Sequence, residues 1–369
     1  SINHQSSIQS SIQSSIQSKT PIEQRYSCFN YLNPYPSRDI AMLTIRNLRV
    51  ARGLAFDQQG RLFVVELLGN IVQVFSILDH QQQLSHEARV LFSFGESGTH
   101  GEQLWYPSCI AIDDELDHIL VSNAGNNRMI LYSLSDHSFI RSIGRTGHGA
   151  DHFHNPFGVC IDSEHRILIA DSSNNRIRVL SCDGESLFSF GEKGSLPRHF
   201  IDPTGVCVDR RRRIIVADRQ NNRIQAFTHD GEFLLSFGEN GSLPGHFIDP
   251  TGVCVDNQDR IIVADTHNLR LQAFTLDGEL ISIFQCPTKP LQVAFDPRHN
   301  LIAFSSGQLV YVLPPNHWLE YHWQPSRHHL ASNVTKRLVE TVTILRSVAL
   351  WSSIALLPNE LLFEIFSFL

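Results

Sequence analysis

Between residues 44 and 313 apolar residues come in short runs broken by Gly, Asn and Asp. "GVCVD", "RIIVAD", "NRIQAF" and "FLLSFG" typify the series. Runs of this length, bounded by turn formers, read as β-strands, and four joined by tight turns make one small antiparallel sheet. No apolar spacing of helical period interrupts them, which excludes a solenoid of alternating strand and helix.

The four-run unit repeats. Pro156, Pro203 and Pro250 are 47 residues apart, as are Gly158, Gly205 and Gly252. "GESLFSFGEKGSLPRHFIDPTGVCVD" (184–209) and "GEFLLSFGENGSLPGHFIDPTGVCVD" (231–256) differ at four of 26 positions. Such a period marks stacked or circular units, and four strands in this length match a propeller blade. Weaker copies at 53–75, 107–132 and 291–313 bring the count to six. The last copy supplies three strands only, while "IAMLTI" (40–45) is a surplus strand at the other end. It is expected to pair as the outer strand of the last blade, closing the ring and removing exposed edges. The fold class expected is all-β, a six-bladed propeller over 39–314 with a C-terminal helical extension.

The flanks have another pattern. Residues 1–38 include "SSIQSSIQSSIQ", too polar to offset its ordering entropy, and are expected to be a disordered tail. Within 315–355, Val334, Leu338, Val342, Leu345 and Ala349 form one stripe, a linker with an amphipathic helix. In 356–369, Leu357, Leu361, Leu362, Ile365 and Phe366 recur at helical spacing behind Pro358, a helix-starting residue.

Net charge is −7 with a pI near 6.2, so there is no general basic field to attract nucleic acid. The chain opens on Ser1, as a fragment or processed product would. Four of seven cysteines (Cys109, Cys160, Cys207, Cys254) hold one repeated place inside apolar strands, where cysteine acts as a small hydrophobe. That usage points to reduced thiols and a cytoplasmic protein. The most apolar span, near 338–357, contains Glu340 and Arg346, too polar for a membrane helix.

The Pro-x-Gly opening, the Asp of "GVCVD", "VAD", the "NNR" loop and the closing "SFG" resemble the NHL repeat over about 52–313. Glu66 and Ile71 replace the "AD…R" residues in the first unit, and the sixth has no "NNR" loop. Read from the residues, Asp171, Asp218 and Asp265 are turn acceptors for Arg176, Arg223 and Arg270, a structural loop network. The resemblance to the propellers of TRIM-type ubiquitin ligases implies a ligand-binding face made by the loops between strands two and three and between blades. On it lie Arg145, His152, Lys193, Arg198, His199, Arg219, His246 and His267. Eleven acidic residues against eight basic ones in these loops favour a protein ligand over RNA. "RRRR", Arg210–Arg213, falls in the turn between strands one and two, on the opposite face, and reads as a solvated turn.

His152, His199 and His246 occupy one equivalent place, and a related propeller class, the zinc-dependent amidating lyases, draws metal ligands from several blades. Three copies of one residue need mean no more than duplication, so neither a metal nor a cofactor is expected, nor a catalytic residue. "LPNELLFEIFSFL" (357–369) resembles the first helix of an F-box, with Leu357, Pro358, Leu361, Leu362, Ile365 and Phe366 as adaptor-binding positions. That likeness implies a Skp-family adaptor as a second partner once the domain is complete. The expected function is a non-catalytic substrate-recognition module of a ubiquitin-ligase pathway. An RNA-binding regulator and a zinc lyase are the alternatives.

Overall fold

The computed structural model describes residues 42–314; the N-terminal tail, the linker helix and the F-box-like segment lie outside them. Six four-stranded antiparallel sheets follow one another as blades. Their innermost strands are Ala51–Phe56 (blade I), Pro107–Asp113 (II), Pro156–Ile161 (III), Pro203–Val208 (IV), Pro250–Val255 (V) and Val293–Asp296 (VI). Each innermost strand packs on the next, and that of blade VI packs on that of blade I, so the ring is closed. The expected surplus strand is present as Leu43–Ile45. It pairs antiparallel with Leu309–Leu313, setting Leu43 opposite Val312 and Ile45 opposite Val310, and becomes the outer strand of blade VI.

The core lies between the sheets. Second strands such as Ile214–Asp218 are buried throughout because each is covered by a neighbouring blade on both sides. Leu43 and Ile45 join Leu54, Leu62, Val64, Ala303 and Val312 in the cluster between blades VI and I. The glycine of Pro-x-Gly is fixed by close approach. A Cβ on Gly158 would lie 2.1 Å from the carbonyl oxygen of Thr204, and one on Gly205 would lie 2.5 Å from that of Thr251. A register shift at this point of each pairing turns the strand against its neighbour. Cys109 and Cys254 are buried while Cys160 and Cys207 are half-buried, and none of the six described cysteines is in a disulfide. Burial pushes all four of these inner-strand thiols upward.

Candidate functional site

Loops between second and third strands share one face, here the upper face, with the connections between blades. In blades III to V each such loop is a short 3-10 turn ended by a left-handed residue: Asn175, Asn222 or Leu269. The aspartate before the turn is fully buried. One oxygen of Asp218 accepts the Ile201 amide at 2.9 Å, and the other accepts Arg223 Nε at 2.8 Å and Asn221 at 2.9 Å. Arg223 then donates to the carbonyls of Ser195, Leu196 and His199 in the connection from the blade before. Asp171 with Arg176 and Asp265 with Arg270 repeat this geometry. Desolvation outweighs the bonds at Asp218 and Asp265 and moves both carboxyls above their usual range. These arginines are therefore occupied in holding backbone.

The asparagines add a forward link. Asn127, Asn175 and Asn222 accept the amides of Asn155, Asp202 and Asp249, each at the start of the next blade. Blade II keeps the pattern without the ion pair, because Asn123 replaces the aspartate and Arg128 bonds only to carbonyls. In blade I, Glu66 takes the Arg49 amide and its Oε1 is buried without a partner.

The three equivalent histidines do not come together. His152 accepts Arg145 Nε at 2.7 Å, His199 pairs with Glu192 at 3.1 Å, and His246 pairs with Glu239 at 3.2 Å. Each partner stands seven residues earlier in the same loop, so each histidine braces its own connection. The phenylalanine after it carries the packing: Phe153, Phe200 and Phe247 are buried against the positive-φ glycines Gly144, Gly191 and Gly238. Among the described residues no group of three His, Cys, Asp or Glu is arranged to hold a metal.

Of the remaining expected ligand residues, Arg219 and His267 converge on Asp249, at 3.5 and 3.1 Å, and Arg219 also pairs with Asp202 at 2.5 Å. They border a shallow hollow between blades IV and V lined by Gln220, Asn222, Ile248 and Asp249. Arg198 pairs with Glu232 at 3.2 Å, and Lys193 is exposed with no polar partner among the described residues. On the lower face the arginine run is bonded to its surroundings: Arg213 to Asp209, Arg212 to Glu164 and Arg210 to Asn257. Asp–Arg pairs four residues apart repeat in that turn, as Asp57–Arg61, Asp162–Arg166 and Asp256–Arg260.

Sequence reasoning passed over one upper-face feature. Trp105 and Tyr106 are 38% and 44% exposed, with ring centroids 5.2 Å apart. The Tyr106 amide bonds to Asn70, in the loop that holds Leu68, which is 54% exposed. Trp105 rests on Gly125, where any side chain would collide with its ring. The signal was available: the same two places in later units hold His154–Asn155, Ile201–Asp202 and Ile248–Asp249.

The profile of the NHL repeat matches residues 153–180, 200–227 and 247–274. Protein brain tumor of Drosophila melanogaster is 27% identical over 135 residues, covering 37% of this chain and 12% of that protein. Among solved structures, a gluconolactonase from Xanthomonas campestris covers 75% of this chain and 90% of its own, at 16% identity and a TM-score of 0.57. Virginiamycin B lyase from Staphylococcus aureus covers 74% and 98%, at 13% identity and 0.52. These two likenesses concern the fold. Residues 42–314 are thus a closed six-bladed β-propeller in which three consecutive blades, III to V, carry NHL repeats.

Proposed function

We propose that this propeller is a non-catalytic binding module that docks a protein partner on its upper face, centred on Leu68, Trp105 and Tyr106. The observation that carries this is the contrast in availability. The regular arginines of the face are bonded to backbone, while two aromatic rings stand exposed together and Leu68 stands exposed in the loop bonded to them. Exposed aromatic clusters of this kind are the usual energetic centres of protein interfaces. Arg49, exposed and without an ion pair among the described residues, adjoins Leu68 through its carbonyl and suits a partner with an acidic flank. A role as substrate receptor in a ubiquitin-ligase pathway is the finer form of this proposal, and it rests on the F-box-like sequence at 356–369.

The test is capture of partners by the full chain and by Trp105→Ala, with and without ribonuclease. A protein retained by wild type, lost with Trp105→Ala and indifferent to ribonuclease is the expected result. Retention that ribonuclease abolishes, or that falls steeply with salt, would replace the protein partner by RNA.

A further inference from the structure

One residue of each blade stands at the upper mouth: in blades I to V the second residue of the innermost strand, Arg52, Ser108, Phe157, Thr204 and Thr251, and in blade VI Gln292, just before Val293. Three are short, and their hydroxyls bond to carbonyls of the next blade, as Ser108 to Phe157 (3.1 Å) and Thr204 to Thr251 (3.0 Å). The other three reach inward. Arg52 of blade I lies over the Phe157 ring of blade III, 5.3 Å from its centroid, and Gln292 of blade VI donates to Cys109 of blade II. Each contact skips a blade, so each is a chord across the ring mouth.

Arg52 differs from the other inward arginines of this face. Its guanidinium has no hydrogen bond and no ion pair among the described residues, and its Nε is buried without a partner. Gln292 Oε1 is likewise buried without a donor. Burial, and then the charge of Arg219, lower the Arg52 pKa, so the cation is held in a site that disfavours it. Stacking on Phe157 orients the guanidinium plane but offsets only part of that cost. Asp202 and Asp249 already neutralise Arg219. One uncompensated positive charge remains, with a planar fork of donors.

We propose that the axial mouth is a carboxylate-binding site in which Arg52, stacked on Phe157, receives an acidic side chain of the docked partner. A carboxylate matches one charge and a two-pronged donor; a phosphate would bring about two negative charges against one. The inference rests on reading the upper face as a protein-docking face, and the occupant is an Asp or Glu side chain presented beside the Trp105 patch.

The experiment follows the Arg52 Nε–H signal by NMR in the whole chain as a capped Gly-Glu-Gly peptide is added at constant ionic strength. A saturable shift with the Glu peptide, absent with Gly-Gln-Gly and unchanged in Trp105→Ala, is expected. Arg52→Met should melt no lower than wild type and should weaken retention of the Trp105-dependent partner at least tenfold. No shift with the Glu peptide, or an equal one with chloride, overturns the site. A fall of several degrees in the melting point of Arg52→Met would make Arg52 a structural brace and also overturn it. Peptide binding with partner retention unaffected by Arg52→Met would assign the mouth to a free carboxylate and overturn the partner's part. Loss of the docking reading alone would show in Trp105→Ala, with the Arg52 shift intact.

Discussion

Blades III to V and blades I and II are built on one plan, yet they hold their upper loops differently. In the first group each loop aspartate is paired with the arginine across its turn, from Asp171 to Arg270. In the second the plan lapses: Glu66 keeps a buried oxygen without a partner, Asn123 stands for aspartate, and Arg52, Trp105 and Leu68 have polar or apolar surface to spare. Repetition identifies the residues that folding requires in each copy. Departures from it show where chemistry is left free for something else.

The comparison can be broken most severely at the seam. A chain beginning at Arg46 loses Leu43 and Ile45, each 4% exposed, from the cluster between blades VI and I. Their burial at about 1.5–3 kcal/mol each predicts a loss of about 3–6 kcal/mol and a broadened denaturant transition. An unchanged midpoint would show that the ring does not depend on its closing strand.

A smaller effect separates the two loop types. Asp218→Ala strands Arg223 in a nearly buried place and should cost about 3 kcal/mol, whereas Asn123→Ala removes neutral bonds and should cost about 1–2 kcal/mol. Equal costs in denaturant titrations would erase the distinction between ionic and neutral loops.

Leu269 sharpens it from the other side. It takes φ 55° at the place where Asn127, Asn175 and Asn222 stand, and a leucine is strained there. Leu269→Asn should stabilise by about 1 kcal/mol, read as a rise in melting temperature; a fall would mean that the leucine is held by contacts of its own.

The slightest effect is on the lower face, where blade II has no Asp–Arg turn pair. There His165 of blade III reaches Asp113 at 2.6 Å, and that hydrogen bond, ahead of the surrounding charges, raises its pKa from the ordinary 6.5. A raised folded value means the contribution is complete below the unfolded value and is lost as pH rises through the folded one. The melting difference between wild type and His165→Gln should therefore shrink as pH rises from about 6.5, and growth of that difference would contradict the sign.

Much of the fold could be read from spacing alone, because turn residues and apolar runs recur in register and a missing strand at one end matched a spare one at the other. The "AD…NNR" network was also legible, since acid and base stand on opposite sides of one tight turn. The histidines drew attention that belonged to Phe153, Phe200 and Phe247, because a repeated imidazole looks like chemistry and a repeated phenyl like filler. Trp105 and Arg52 went unread for the opposite reason. Their meaning depends on what stands across the ring, and chords such as Arg52 to Phe157 have no local signature.

Leu43 opposite Val312 has a mechanical consequence. Residues 42 and 314 lie at the same end of one strand pair, on the lower face. Tension drawn between them loads that pair in peeling geometry, one rung at a time, and not in shear across all rungs together. The ring is thus a latch whose release is set by three residues, while its upper face, on the far side, lies off the line of force.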